Sequence, residues 1–288
     1  MKMLKKGDKG DEVLFVQRLL KKLYPTIVPD SDFGNITDSF VKKFQKTNKL
    51  LVDGIVGSMT FDVLSAKAAP NVLGTDVYRH DETGTDAFWQ DVESNYWFCF
   101  VKASQGSGWT DPRFVEHAAR LKDLKILRGA YHFPNLLSSD VTGEVNCFLD
   151  SCKNGGINWK DQGVLPPVYD VEPLNETQAK QFPSQSKNIT ARMKKWLETV
   201  EKKTGRTPII YTSQRVWDEL LLSPQGFDKY PLWVANYGTN LTQPKLPSIW
   251  KTYAFWQFLD DWTIGGVNGF DVNRLGIPLK DLLKMGGY

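Results

Sequence analysis

The chain has 288 residues, of which 41% are hydrophobic and 24% charged, and a formal net charge of +3. This composition excludes long disorder and fibrous or collagen-like architectures, and the length admits one large domain or two unequal ones. The charge is uneven: residues 1–70 carry twelve Lys/Arg against eight Asp/Glu, too mild an excess for a nucleic-acid binder but suited to an anionic polymer.

The first element is a helix over residues 11–23, with apolar side chains at Val13, Val16, Leu19, Leu20 and Leu23 in helical spacing and Asp11 as its expected cap. A second amphipathic run covers Thr37 to Asn48, with Phe40, Val41 and Phe44 on one stripe, and a third runs from Ser58 to Ser65. Asp32-Phe33-Gly34-Asn35-Ile36-Thr37 echoes Asp53-Gly54-Ile55-Val56-Gly57-Ser58-Met59-Thr60, a Gly turn before a Thr placed to cap a helix. Leu4-Lys5-Lys6-Gly7, Gly10, Val13, Gln17, Leu20, Phe44-Gln45 and Asp53-Gly54-Ile55-Val56-Gly57 resemble the peptidoglycan-binding domain found beside cell-wall hydrolases. Against that pattern the first turn, Asp32-Phe33-Gly34, reads as short. The expected domains are a three-helix module over 1–66, a linker over 67–71 ending in Pro70-Asn71, and a larger domain over 72–288.

From Val72 short apolar or β-branched runs alternate with helical segments. Strands are expected near 72–77, 97–103, 126–133, 166–171, 208–212, 231–235, 252–257 and 268–271, with helices over 111–123, 140–153, 187–204 and 213–221. Eight alternating units fit an α/β class, an irregular (β/α)8-type barrel, better than a sandwich. No clear helix follows the sixth strand. In such barrels the site is built at the C-terminal ends of the strands.

Four carboxylates fall at those ends: Asp76 on strand one, Asp170 and Glu172 on strand four, and Asp271 at the end of strand eight. Residues i and i+2 of a strand project to one side, roughly 6.5 Å apart. Two acids at that spacing raise at least one pKa by repulsion and burial. Glycoside hydrolysis needs that division, a proton donor for the leaving oxygen and an anion for the oxocarbenium-like centre. Tyr131, Trp233, Tyr237 and Trp256 lie nearby in the pattern and offer faces for sugar rings.

Gly74-Thr75-Asp76-Val77, Val101-Lys102-Ala103-Ser104-Gln105-Gly106, Gly129-Ala130-Tyr131-His132-Phe133 and Tyr169-Asp170-Val171-Glu172 are motifs in order. Ile210-Tyr211-Thr212, Leu232-Trp233-Val234-Ala235, Trp256-Gln257-Phe258 and Gly269-Phe270-Asp271 complete the series. Together they resemble glycoside hydrolase family 25, the N-acetylmuramidase lysozymes common in bacteriophage endolysins. The resemblance implies that Glu172 is the general acid, that Asp170 orients the 2-acetamido group or acts as nucleophile, and that Asp76 and Asp271 flank the site. It implies sugar contacts from Tyr131, Tyr211, Trp233, Tyr237, Trp256 and Gln257, and retention of anomeric configuration. Two departures stand out. The family often has Lys-Ala-Thr-Glu-Gly after strand two, where this chain has Ser104-Gln105. After the first strand it often shows a Ser, then Gln-Gly, where this chain has Tyr78-Arg79-His80-Asp81.

The three His are far apart and no His-x3-His or Cys-x2-Cys spacing occurs, so no metal and no cofactor is expected. Cys99, Cys147 and Cys152 are expected as free thiols with packing roles. Chitinase-type acids would fall at 165 and 168, which are Leu165 and Val168. The alternatives are a catalytically weak wall-binding protein or another glycosidase. The expected partner is bacterial peptidoglycan, with no nucleic acid and no membrane insertion, and a monomer is expected. No signal-peptide h-region opens the sequence, so synthesis in the host cytoplasm and holin-dependent release to the wall are expected.

Overall fold

The computed structural model describes residues 2–69, 71–81 and 83–288. By contacts the chain forms two compact units: one holds residues up to Val72 with Pro278–Lys284 and Tyr288, the other Leu73–Ile277 with Met285–Gly287. The grouping differs from the expected domains at the C-terminus, because Pro278–Lys284 belongs with the small unit. The expected linker is also shorter, since helix continues to Ala68; Pro70 lies outside the described residues.

The small unit contains α1 (Asp11–Leu23), α2 (Asn35–Thr47) and α3 (Ser58–Ala68). Val13, Val16, Leu19, Leu20, Val41, Phe44, Phe61 and Leu64 are buried between them. The helix caps are Gly10, Gly34 and Gly57 rather than Asp11, Thr37 and Thr60. Thr37 and Thr60 stand in the first turns, where another group uses their hydroxyls. Gln17 Nε2 donates to Thr37 Oγ1 at 2.9 Å, to Asp30 Oδ1 at 2.7 Å and to the Asp32 carbonyl at 2.9 Å. Gln45 Nε2 repeats the pattern on Thr60 Oγ1 at 3.3 Å, Asp53 Oδ1 at 2.9 Å and the Ile55 carbonyl at 2.9 Å. The repeat therefore aligns Asp30 with Asp53, and the first turn is of full length. Ser31 occupies the position of Gly54, and both have positive φ, 63° and 77°.

The large unit contains β1 (Leu73–Val77), α4 (Asp86–Asn95), β2 (Phe98–Gln105), β3 (Trp109–Thr110), α5 (Phe114–Asp123), β4 (Leu127–Phe133) and α6 (Val141–Asn154). After these come β5 (Val168–Asp170), α7 (Glu176–Ala179), α8 (Phe182–Thr204), β6 (Ile209–Ser213), a π-helical turn (Arg215–Leu220), β7 (Leu232–Ala235), β8 (Phe255–Ile264) and β9 (Val267–Leu275). Helix α9 (Leu279–Met285) follows in the sequence and, through Lys284, groups with the small unit.

The sheet runs β1-β9-β8-β7-β6-β5-β4-β2-β3, and β1 also pairs with β2. Eight strands thus close a barrel, and β3 is an antiparallel extension of β2. Seven barrel strands are parallel neighbours in turn. The last, β9, runs antiparallel to both β8 and β1. Its direction follows from the connection: Gly265 and Gly266, at φ 57° and 84°, turn the chain straight back as a hairpin with no crossover helix.

Strand alternation divides the core. On β2, Cys99, Val101 and Ala103 face the helices with Trp196, Leu121 and Phe148. Phe98 and Phe100 fill the barrel, where Phe100 stacks on Trp233 at 4.5 Å and meets Phe255 at 5.1 Å. Gly129 makes room for Phe100, since a Cβ there would lie 2.2 Å from that ring. All three cysteines are free thiols. Among the described residues no helix is long and apolar enough to cross a membrane.

Candidate active site

Above Phe100 the barrel opens into a cavity of about 300 Å³, which Asp76, Asp170, Glu172 and Asp271 all line. Strand geometry brings each there. Asp76 and Asp170 stand near the ends of β1 and β5, and Glu172 follows two residues on. Asp271 reaches the same level from the middle of β9, directly opposite Asp76. It does not end its strand, because the antiparallel β8–β9 hairpin continues past the barrel rim.

Asp76 is held by a hydrogen-bond network. Gln257 Nε2 donates to both of its oxygens at 2.8 Å, and Asn273 Nδ2 to Oδ1 at 2.8 Å. Gln257 Oε1 in turn accepts from Tyr211 OH at 2.7 Å and Tyr237 OH at 2.8 Å. Trp233 Nε1 donates to Asn273 Oδ1 at 2.7 Å. Each amide therefore has one possible orientation, oxygen toward hydroxyl or indole donors and nitrogen toward the carboxylate.

Burial dominates the acid–base chemistry. It lifts Asp76 to about 6, against the hydrogen bonds from Asn273 and Gln257. Burial and then the Asp76 charge carry Asp271 to about 9, and these two carboxyls share a hydrogen bond. Burial and then the Glu172 charge hold Asp170 well above the usual carboxylate range. Burial lifts Glu172 to about 7, against the pull of the Lys102 ammonium. Glu172 can thus carry a proton near neutral pH and lose it readily, as a general acid must. Asp170 Oδ1 is buried with no hydrogen-bond partner among the described residues, an acceptor that a donor on a ligand would satisfy.

Tyr131, Tyr211, Trp233, Tyr237 and Gln257 line the same cavity. Trp256 does not. It follows Phe255 and precedes Gln257, so the two-residue alternation turns it outward. It is fully buried, with Nε1 donating to the Asn236 carbonyl at 2.8 Å and the Arg274 guanidinium 5.3 Å from its ring.

Lys102, Tyr78 and Asn273 are polar residues of the site that the sequence did not single out. Lys102 extends the inward face of β2 two residues beyond Phe100, and a lysine on that face was the available signal. Its ammonium sits 4.6 Å from the Phe133 ring and donates to Gln105 Oε1 at 2.9 Å. Its hydrogen-bond partner is thus a neutral amide, and its charge acts on Asp170 and Glu172. Asn273 lies two residues after Asp271, on the same strand face. His132 stays outside the cavity, its Nδ1 2.8 Å from Ser104 Oγ and its ring stacked 5.6 Å from Trp196.

Two further cavities flank the acids. One of about 460 Å³ shares Tyr78, Lys102 and Phe133 with the central cavity. The other, of about 590 Å³, shares Glu172, Tyr211 and Tyr237 with it. An open groove with acids at its middle suits cleavage inside a polymer. Among the described residues no group of three or more His, Cys, Asp or Glu is placed to hold a metal ion.

Residues 75–267, more than half of the chain, match "Glycosyl hydrolases family 25". The chain belongs to this family. It is therefore a glycoside hydrolase. Residues 9–64 match "Putative peptidoglycan binding domain". Among relatives of the family 25 domain, Lysozyme M1 of Streptomyces globisporus is 32% identical over 192 residues, 65% of this chain and 62% of that protein. The bacterial lysozyme of Streptomyces coelicolor has a TM-score of 0.65 at 27% identity, covering 75% of this chain and 96% of that one. The muramidase of Acremonium alcalophilum has a TM-score of 0.65 at 25% identity, covering 75% and 98%.

Proposed function

We propose that the chain hydrolyses the β-1,4 bond between N-acetylmuramic acid and N-acetylglucosamine in peptidoglycan, with retention and with Glu172 as general acid. The observation that carries this reading is the convergence of four carboxylates in one cavity, with Glu172 near 7 while its neighbours differ from it. Glu172 protonates the departing glycosidic oxygen and then, as a carboxylate, takes a proton from the incoming water. Asp170 acts on the 2-acetamido group: its unpartnered buried Oδ1 accepts the acetamido N–H and aligns the carbonyl oxygen for attack on the anomeric carbon. That intramolecular route preserves configuration and is a recognised exception to direct carboxylate attack. Asp76, fixed by Gln257 and Asn273, and Asp271, hydrogen-bonded to Asp76, shape the cavity floor and hold sugar hydroxyls. Tyr131, Tyr211, Trp233 and Tyr237 give the sugar its apolar walls.

The small unit raises the effective concentration of the hydrolase on wall polymer. A monomeric state and holin-dependent release to the wall belong to the same proposal. The test is digestion of purified peptidoglycan, borohydride reduction and mass spectrometry of the new ends. Reduced muramic acid ends from wild type, and none from Glu172→Gln, are expected. Reduced glucosamine ends make the enzyme a glucosaminidase, and full activity of Glu172→Gln removes that residue from the mechanism.

A further inference from the structure

The cavity of about 460 Å³ beside the acids has an electrostatic character opposite to theirs. Arg79 and Lys102 line it, and among the described residues no carboxylate does. Arg79 belongs to the Tyr78-Arg79-His80-Asp81 segment that follows β1. Its exposed guanidinium makes two contacts. Nε donates to His80 Nε2 at 2.8 Å, and the planar group lies 5.2 Å from the Trp109 ring. Asp111 accepts the Arg79 backbone N–H at 3.0 Å. These contacts engage Nε, the guanidinium face and the main chain, so the terminal nitrogens keep their donors.

The neutral groups are also donors. Gln178 Oε1 accepts the Leu174 N–H at 3.0 Å, and Asn135 Oδ1 accepts the Leu137 N–H at 3.3 Å. Both amides line the cavity with their oxygens committed, which leaves their NH2 groups to donate. A concave site of guanidinium, amide donors and aromatic wall selects a planar anion.

We propose that this cavity is a carboxylate-recognition subsite, with Arg79 as its anchor, for the lactyl-peptide substituent of a muramoyl sugar bound in the adjoining groove. The proposal rests on the muramidase reading and deepens it. A neutral N-acetylglucosamine polymer has no such group, so the subsite separates peptide-bearing wall glycan from neutral glycans.

The experiment uses the full chain and soluble, uncrosslinked peptidoglycan strands stripped of wall phosphate polymers. One half of the strands has its carboxyls converted to amides with carbodiimide and ammonia. Wild type is expected to have kcat/KM about tenfold higher on the native strands than on the amidated ones. Arg79→Gln should lose that advantage, mainly through KM, and match wild type on amidated strands. Arg79→Lys should fall between them, since a lysine keeps the charge and loses the fork. An equal loss on both substrates makes Arg79 a structural residue and overturns the subsite, as does no loss on either. If wild type makes no reduced muramic acid ends on either substrate, the muramidase reading fails first and the subsite with it.

Discussion

Lys102 illustrates how one residue sets the working range of a site. Its ammonium is half-buried against aromatic rings and faces Asp170 and Glu172, and its charge holds Glu172 lower than burial alone would. Glu172 must be protonated to act as the acid, so activity should fall as pH rises through about 7. Lys102→Met removes the cation and should move this alkaline limb of the kcat/KM profile to higher pH. An unmoved limb means that Glu172 does not feel Lys102. The four acids were legible in the sequence because each stands at or near the end of a recognisable apolar run. Lys102 and Asn273 were not, because a single polar residue on a strand does not announce which face it occupies. Trp256 misled for the same reason: residue type suggests a sugar platform, but alternation with Phe255 and Gln257 decides its side.

The small unit shows what elements reveal and hide. Helical spacing located α1 to α3 closely, yet the repeat was aligned two residues late at its first turn, because Ser31 disguises a position that its counterpart fills with Gly54. Ser31 at φ 63° sits in the left-handed region that favours glycine. Ser31→Gly should relieve that strain and, after the entropy cost of glycine, stabilise the unit by about 0.5–1 kcal/mol. Slower amide hydrogen exchange in α1 and α2 of the full chain checks this, and faster exchange would reject it. The strands of the barrel were also legible, but not their direction. Periodicity is the same for parallel and antiparallel strands, and only the paired glycines at 265 and 266 mark β9 as a return.

For the whole molecule, clustering acids in a buried cavity has a thermodynamic consequence. Asp271 ionises near 3.8 in an unfolded chain and at about 9 in the fold. Between those values the folded chain holds a proton that the unfolded chain has released. Its contribution to stability is therefore complete below about 4 and is lost as pH rises through about 9. Thermal melting should accordingly fall from pH 4.5 to pH 8, and Asp271→Asn, which cannot ionise, should reduce that fall while abolishing turnover. An identical fall in the variant would show that Asp271 does not contribute to the pH dependence.

The barrel closes between its first and last strands, and this fixes when the enzyme comes into being. Asp76 meets Asn273 across 197 residues of sequence, and Asp271 comes from the same final strand. A ribosome that has made β1 to β8 has made two open sheet edges and three of the four acids, without Asp271 or the Asn273 that holds Asp76. The catalytic constellation is thus a late product of synthesis, assembled only after β9 inserts between β8 and β1, and any chain truncated ahead of that strand is left without it.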